Sequence, residues 1–235
     1  MIAVLKFGGS LSRGQGLIAL GRENGRLAAQ HRLLVVPGGG KFANAVRDHH
    51  RRYRISETTA HRMALLAMDQ YGCLLGDLVP GSVLVTDLLS ARRVAAGGQT
   101  PILLPSSLLI HVDPLPHSWQ VTSDAIAAWV AGQMCAPRLI LLKDVDGLFS
   151  ADPAQNGRAQ LLLQMTVEDL AGHRGGVDEY LATVLASVDL ETWMINGQHP
   201  ERLVELLQTG QTHGTRITRG PGNHPAAQRD EVAGR

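Results

Sequence analysis

Several residue types that mark common classes of protein are scarce in this 235-residue sequence. Aromatic residues make up only 4% of the chain, which argues against a surface on which nucleic-acid bases stack. The formal net charge is only +1, so no global field attracts nucleic acid or an anionic membrane. No apolar run approaches the roughly 18 residues that a membrane helix needs. We therefore predict no nucleic-acid partner and no membrane partner.

Cysteine is scarce as well. The two cysteines, Cys73 and Cys135, lie far apart and show neither CxxC nor Cys/His ligand spacing. We predict that both are buried free thiols in a reducing cytoplasm, with no disulfide and no metal site. Residues 2–5 are predicted to form a first strand and not a signal peptide, because no basic segment or cleavage site accompanies them. The expected location is therefore the cytoplasm.

Hydrophobic residues and glycine, in contrast, are abundant, at 44% and 26 residues, which suits a large α/β core with close backbone approaches. Two apolar stretches, residues 2–5 and 33–36, are predicted strands that each run into a glycine turn. These turns contain Lys6, Gly8, Gly9 and Ser10, and Gly38, Gly39 and Gly40. Glycine lets backbone N–H groups approach an anion closely, and a helix N-terminus adds a favourable dipole. The alternative to an anion-binding site is an ordinary glycine turn beside a lysine that is exposed to solvent.

Neither glycine turn matches a common nucleotide motif. The second is not a Walker loop, because position 35 is Val and no Ser or Thr follows Lys41, and neither turn reads GxGxxG. A third apolar stretch, residues 139–142, runs directly into Lys143 and an acidic turn. Continuous hydrophobicity of this kind indicates a strand buried on both faces, and ligands collect at the carboxyl ends of such strands. Residues 143–153 are therefore predicted to form one wall of a site.

The remaining segments predict an alternation of helices and strands. Residues 56–75 carry apolar residues at helical spacing, whereas residues 105–119, with three prolines, are predicted to be a long functional loop. Thr122 or Ser123 is a good N-cap for the next helix, and Asp124 suits its first turn. The alternative is that this polar helix start faces the same cleft as Lys6.

Towards the end of the sequence, local signals place further elements. Thr166 opens a predicted capping box, and residues 177–187 are predicted to be helical. Residues 192–195 are a predicted strand, and residues 214–217 are predicted to be a last strand or turn. Between them Pro200 begins and Gly210 ends a final helix. Residues 219–235 are rich in Pro, Gly and charge, which predicts a disordered tail.

Taken together, five ordered motifs resemble those of the amino acid kinase superfamily, which includes acetylglutamate, aspartate, uridylate and isopentenyl phosphate kinases. The resemblance spans about residues 2–218. The motifs are KFGGS at 6–10, PGGG at 37–40, TSD at 122–124, DVDG at 144–147 with Asp152-Pro153, and GTRI at 214–217.

The resemblance implies a three-layer αβα sandwich with a mainly parallel central sheet. It implies one domain over residues 1–218, with an acceptor-binding half at about 1–135 and an ATP-binding half at about 136–218. ATP and Mg²⁺ are the expected cofactors, a small phosphate ester is the expected substrate, and a homodimer or larger homo-oligomer is the expected assembly.

Carried over by position, the resemblance also implies roles for residues. Lys6 would hold the transferring phosphoryl group, Asp124 would orient the catalytic lysines, and Gly8, Gly9 and Ser10 would bind phosphate. The implied acceptor-side residues are Gly38, Gly39, Gly40, His117, Trp119, Thr122 and Ser123. The implied nucleotide-side residues are Asp144, Val145, Asp146, Gly147, Leu148, Phe149, Asp152, Pro153, Gly214 and Thr215.

One departure from the family pattern concerns catalysis. Many members carry Gly-Gly-Met-x-x-Lys, whose lysine assists transfer from the nucleotide side. Here Tyr180 stands at the position of that lysine, after Gly175 and Gly176. We hypothesise that Lys143 supplies the missing charge from the neighbouring strand end.

Within the superfamily, residues 113–124 and 177–181 look most like the [5-(aminomethyl)furan-3-yl]methyl phosphate kinase group of methanofuran-type biosynthesis. That group phosphorylates a phosphate ester to a diphosphate, which makes His117 and Trp119 acceptor-side candidates, although Trp119 can equally pack the loop. A uridylate kinase would show a different acceptor loop, and an isopentenyl phosphate kinase usually carries a histidine near the first glycine turn, which residues 8–20 lack. A non-catalytic nucleotide-binding or storage homologue is the alternative of another class.

Overall fold

A computed structural model describes residues 2–13 and 16–220, and one mixed sheet runs through this part of the chain. The strands, numbered along the chain, are β1 (Ala3–Phe7), β2 (Leu33–Pro37), β3 (Ser82–Val85), β4 (Thr100–Leu103), β5 (Arg138–Lys143), β6 (Gln164–Thr166), β7 (Glu191–Asn196) and β8 (Thr215–Thr218). Their order across the sheet is β3-β4-β2-β1-β5-β7-β8-β6. Strands β7 and β8 pair antiparallel, and the other neighbouring pairs are parallel.

Helices cover the sheet. In the described part of the chain they are α1 (Gly16–Leu27), α2 (Gly40–Tyr53), α3 (Glu57–Leu78), α4 (Leu88–Ala96), α5 (Pro105–Val112), α6 (Ser123–Gln133), α7 (Val167–Gly172), α8 (Leu181–Ser187) and α9 (Pro200–Thr209), with a short 3₁₀-helix at Gly9–Arg13. None of them is both long and apolar enough to cross a membrane.

Two separate hydrophobic cores lie on the two faces of the sheet. Successive strand residues point to opposite faces, so Leu139 and Leu141 of β5 enter one core and Ile140 and Leu142 enter the other. Helices α6 and α8 cover the first core, and α1 and α9 cover the second. This arrangement confirms the predicted three-layer αβα sandwich, and it explains why β5 is apolar at consecutive positions.

The parallel strands β1, β2 and β5 lie side by side and end at the same edge of the sheet. Phe7 is in register with Pro37 of β2 and with Leu142 of β5. The glycine turns after β1 and β2 and the acidic turn after β5 therefore meet at this edge. The site is built there because strand polarity brings together segments that are far apart in the chain.

Part of the predicted loop at residues 105–119 is helical. Helix α5 begins at Pro105, and the structure ends it at Asp113, which adopts a left-handed conformation with φ 47°. Proline is tolerated in the first turn because the N–H that it lacks would have no intrahelical partner there. The loop interpretation was wrong for this segment, and only the stretch from Asp113 to Trp119 is irregular.

Several local signals were read correctly. Thr166 and Asp169 form the predicted capping box, and the helix predicted at 56–75 is present as α3. The structure adds that Ser56 caps α3 by accepting from the Thr59 N–H. Pro200 begins α9 and Gly210 follows it in a left-handed conformation. The helix predicted at 177–187 begins later, at Leu181, because residues 177–180 turn towards α6.

Two predictions made from composition had different outcomes. Cys73 and Cys135 are free, as predicted, but both are exposed and not buried. Of the predicted tail at 219–235, residues 221–235 lie outside the described residues. Arg219 lies within them and donates to the carbonyl groups of Leu185 and Ala186.

The buried face of β5 gives a direct test of this packing. Leu141 is fully buried in the central strand, whereas Leu163 is 60% exposed. We expect Leu141→Ala to lower the free energy of unfolding by about 2–5 kcal/mol, because it leaves a cavity in a close-packed core. The matched variant Leu163→Ala should change it by less than about 0.5 kcal/mol. Urea unfolding measures both, and equal effects would contradict the assigned register.

Candidate active site

A cavity of about 280 Å³ opens at the carboxyl edge of β1, β2 and β5. Its walls come from the two glycine turns, from α2 and α3, from residues 119–126 and from the end of β5. Of the residues predicted from the sequence, those that line it are Lys6, Gly9, Ser10, Gly39, Gly40, Trp119, Thr122, Ser123 and Lys143. The fold thus brings most of the predicted acceptor-side residues to one cavity.

The centre of this edge is a buried carboxylate held between two lysines. Lys6 Nζ lies 2.8 Å from Asp124 Oδ1, and Lys143 Nζ lies 2.5 Å from Asp124 Oδ2. The Asp124 side chain is only 2% exposed. Each carboxylate oxygen of Asp124 therefore contacts one ammonium group. The two lysines and the one carboxylate together carry one net positive charge at the cavity wall.

The surroundings shift the pKa values of this cluster. Burial alone would raise the pKa of Asp124, but Lys143 and Lys6 outweigh it and hold that pKa below its usual range. Burial lowers the pKa of Lys6 to about 8, with Asp124 opposing the shift and Lys143 adding to it. Lys6 is therefore positively charged at neutral pH but titrates far below an exposed lysine.

The glycine turns touch one another at the rim of the cavity. A Cβ on Gly9 would lie 2.3 Å from the Gly40 nitrogen, so no other residue fits there without moving the backbone. The N–H of Gly8 donates to the Leu142 carbonyl and that of Gly38 donates to the Phe7 carbonyl, both at 2.8 Å. These two N–H groups extend the sheet, so the prediction that Gly8 donates its N–H to phosphate requires correction.

The start of α6 is held by a residue that the sequence did not single out. Thr122 or Ser123 was expected to cap the helix. Thr122 does occupy the N-cap position, but its side chain makes no capping bond, and its hydroxyl instead donates to Asp178 Oδ2 at 2.9 Å. The same oxygen accepts from the N–H groups of Thr122 and Ala125, at 3.0 and 2.9 Å. Asp178 therefore caps α6 from 53 or more residues away and fixes the turn that carries Asp124.

Tyr180, at the position of the family lysine, packs against a hydrophobic core, and its N–H donates to the Gln120 carbonyl at 3.3 Å. Gly175 and Gly176 before it have φ values of 89° and 81°. In this structure the second ammonium group at Asp124 comes from Lys143.

The predicted nucleotide-side turns lie against each other beyond Lys143. The Leu148 N–H donates to Thr215 Oγ1 at 2.8 Å, and a Cβ on Gly147 would lie 2.5 Å from that oxygen. A Cβ on Gly214 would lie 2.6 Å from the Met194 carbonyl oxygen. Close backbone packing therefore accounts for the glycines at 147 and 214.

The acidic residues in this half have different surroundings. Asp146 Oδ1 accepts from Arg202 at 2.6 Å and from Asn196 at 3.0 Å, which ties its turn to α9 and β7. Burial alone would raise the pKa of Asp146, but Asn196 and Arg202 together outweigh it and hold that pKa below its usual value. Asp144 is half-buried directly after β5, and Val145 beside it is exposed.

The remaining predicted nucleotide-side residues form a hairpin. Phe149 forms an antiparallel bridge with Leu161. Asp152 and Pro153 are exposed at its tip, where the Asp152 carboxylate accepts from the Ala154 N–H at 2.9 Å. Asp152 therefore stabilises its own turn.

The predicted acceptor side has a wall of aromatic and cationic side chains. The indole N–H of Trp119 donates to His50 Nδ1 at 3.1 Å, and the Arg47 guanidinium lies 4.8 Å from the Trp119 ring centre. His117 is not among the described residues that line the cavity. It stacks on His61, which does line it, with ring centres 4.4 Å apart.

Lys41 is a cavity residue that sequence reasoning missed. The chain contains three lysines, at positions 6, 41 and 143, and all three line this cavity, while the other 19 of its 22 basic residues are arginines. The rarity of lysine was a signal available in the sequence. It would have drawn attention to all three positions together.

The role of Asp178 in holding α6 is testable. We expect Asp178→Ala to lower the free energy of unfolding by about 1–3 kcal/mol, because it leaves buried donors of Thr122 and Ala125 without their acceptor. Glu179→Ala is the control, since this exposed neighbour accepts only a side-chain hydrogen bond from Gln120. Thermal unfolding compares the two, and an equal loss would show that Asp178 does not fix the helix start.

Comparisons with known proteins agree with this architecture. The model of the amino acid kinase family matches residues 1–192. The chain is 29% identical to a [5-(aminomethyl)furan-3-yl]methyl phosphate kinase from Methanocaldococcus jannaschii, across 87% of this chain and 92% of that protein. It is 25% identical to a uridylate kinase from Methanothrix thermoacetophila, across 92% of this chain and 99% of that protein.

A solved structure shows the same fold. The uridylate kinase from Archaeoglobus fulgidus matches 93% of this chain and 100% of its own, with a TM-score of 0.74 and 24% identity. The family match covers most of the chain, and the ordered glycine and acidic turns lie where the sheet edge brings them together. The chain therefore belongs to the amino acid kinase family.

Proposed function

We propose that the chain is an ATP- and Mg²⁺-dependent phosphotransferase that converts a small phosphate monoester to a diphosphate. We further propose that the acceptor is [5-(aminomethyl)furan-3-yl]methyl phosphate, as in methanofuran-type cofactor biosynthesis. The observation that carries the proposal is the pair of lysines on one buried carboxylate at the wall of the cavity. The relative from Methanocaldococcus jannaschii supports the choice of acceptor.

The geometry suits phosphoryl transfer. An oxygen of the acceptor phosphate forms the new bond to the γ-phosphorus of ATP, while the bond from that phosphorus to the β,γ-bridging oxygen breaks and ADP leaves. Negative charge spreads over the transferring group, and Lys6 and Lys143 are placed to neutralise it. Asp124 orients both ammonium groups before the reaction, so little reorganisation is needed.

The residues present fit a nucleotide with its own Mg²⁺. Mg²⁺ bound to the phosphates would neutralise further charge on the transferring group. Both oxygens of Asp124 already serve ammonium groups, so Asp124 does not fit as a metal ligand. The turn at 144–147, and Asp144 in particular, would face the nucleotide half and hold the magnesium through water or directly.

Lys143 is our candidate replacement for the family lysine missing at Tyr180. Its Nζ shares Asp124 with Lys6, so the two ammonium groups are held at one point of the cavity wall.

We also propose that one domain spans residues 1–218, with the acceptor on the side of Trp119 and the nucleotide beyond Lys143. The proposed setting is the cytoplasm, and the proposed assembly is a homodimer or larger homo-oligomer.

A transfer assay tests the proposed function. The protein is incubated with γ-labelled ATP, Mg²⁺ and, separately, the aminomethylfuran phosphate, UMP and isopentenyl phosphate. We expect the aminomethylfuran phosphate to give the highest kcat/KM. A higher value for UMP would replace the proposed acceptor with that of the uridylate kinase relatives. ATP binding without transfer to any acceptor would favour a nucleotide-binding protein without catalytic activity.

Single substitutions test the two lysines. We expect Lys6→Ala and Lys143→Ala each to lower kcat by about 100-fold or more, because each removes a charge aimed at the transferring group. Arg22→Ala removes an exposed positive charge from α1 and serves as the control. If Lys143→Ala turned over normally while Lys6→Ala was inactive, Lys143 would not replace the missing lysine.

The pH profile tests the charge state of Lys6. Because its pKa is lowered to about 8, Lys6 loses its charge as the pH rises through that value, and kcat/KM should fall on the alkaline side. Lys143 contributes to the lowering, so Lys143→Ala should move this alkaline limb to higher pH in the residual activity. A limb that stayed in place would show that another group controls it.

A further inference from the structure

Three side chains outside the proposed phosphoryl-transfer machinery converge beside the cavity. His61 lies on α3, Asp113 ends α5, and His117 lies in the irregular stretch that follows. One ligand atom from each of the three lies within 4.8 Å of the others. Chain segments separated by about 50 residues thus bring two imidazoles and a carboxylate to one point.

The two histidine rings are oriented together. They stack with an interplanar angle of 20° and with ring centres 4.4 Å apart. His117 Nε2 lies 2.7 Å from Asp113 Oδ1. His117 contacts the carboxylate directly, and a single cation between the three ligand atoms would contact all of them once the stacked rings turn so that both nitrogens face it.

The other nitrogen of His117 has a partner that suits a metal ligand. Nδ1 lies 3.0 Å from the Thr58 hydroxyl oxygen. If Nδ1–H donates to Thr58, Nε2 faces the Asp113 carboxylate, and this contact is attractive when Nε2 also carries a proton or when a metal cation lies between the two atoms. Metal-bound histidines are usually oriented in this way by a partner on the second nitrogen. With the opposite tautomer, Nε2–H donates to Asp113 and the cluster is a metal-free anchor for the loop.

We propose that His61, Asp113 and His117 bind one divalent transition-metal ion of the zinc type. Two imidazole nitrogens and one carboxylate oxygen form a donor set that Zn²⁺ takes in proteins, with a fourth position left for water or another ligand. Mg²⁺ prefers oxygen ligands, so this ion is separate from the magnesium of the nucleotide.

The ion would act on the wall of the cavity. His61 lines the cavity, and Trp119, two residues after His117, lines it as well. Binding of the metal would clamp residues 113–119 onto α3 and fix the position of the Trp119 ring. The proposal does not depend on which acceptor the cavity takes.

Metal titration of the tag-free, chelator-treated full chain tests the site. Co²⁺ is followed by its visible absorption and Zn²⁺ by calorimetry, and we expect about one ion per chain. His61→Gln and Asp113→Asn should each weaken binding at least tenfold; Asn also tolerates the left-handed conformation of position 113. Thr58→Val should weaken it by about 10–100-fold, as expected for loss of an orienting partner.

His111→Gln is the matched control, because it removes an exposed imidazole from the end of α5 without touching the cluster. Its affinity should equal that of the unchanged protein. Circular dichroism confirms that each variant is folded. If the unchanged protein bound no Co²⁺ or Zn²⁺, or if His61→Gln bound them as tightly as His111→Gln, the cluster would be a metal-free loop anchor and the proposal would be wrong.

Discussion

The structure depends on one buried interaction, the contact of Asp124 with the ammonium groups of Lys6 and Lys143. A buried and a partly buried positive charge would be costly alone, and Asp124 offsets most of that cost because each of its oxygens contacts one ammonium group. The three groups come from β1, α6 and β5, so the contact also joins the two halves of the chain. One positive charge is left over, which is the property that a site for a transferring phosphoryl group requires.

The rest of the fold positions this cluster. Hydrophobic cores on both faces hold β1 and β5 side by side, which sets Lys6 and Lys143 on adjacent strands. Asp178 holds the start of α6 from the segment that carries Tyr180, so hydrogen bonds tie that segment to the helix that carries Asp124. The glycine turns then close the rim because only glycine fits where their backbones touch.

Much of this could be predicted from the sequence, because strand ends and glycine turns are local signals. These signals predicted the buried strands and one wall of a site at residues 143–153, whereas the three-layer fold and the role of Lys6 were implied by the resemblance to the amino acid kinase superfamily. Helix α5 was missed because the prolines at 105, 114 and 116 suggested one long loop, although Pro105 begins the helix and the other two follow it. Asp178 was missed because its partner Thr122 is 56 residues away in the chain, and no local pattern reports such a contact. The exposure of Cys73 depends on which face of α3 packs, and composition does not determine that.

Lys6 and Lys143 are proposed to act together on the transferring phosphoryl group. A crystal structure with ADP, Mg²⁺, aluminium fluoride and the acceptor tests this role, since aluminium fluoride occupies the place of that group. We expect the Nζ atoms of both lysines to lie within hydrogen-bond distance of the fluoride ligands, with Asp124 between them. A structure in which Lys143 points away from the aluminium fluoride, or in which ADP binds elsewhere, would contradict it.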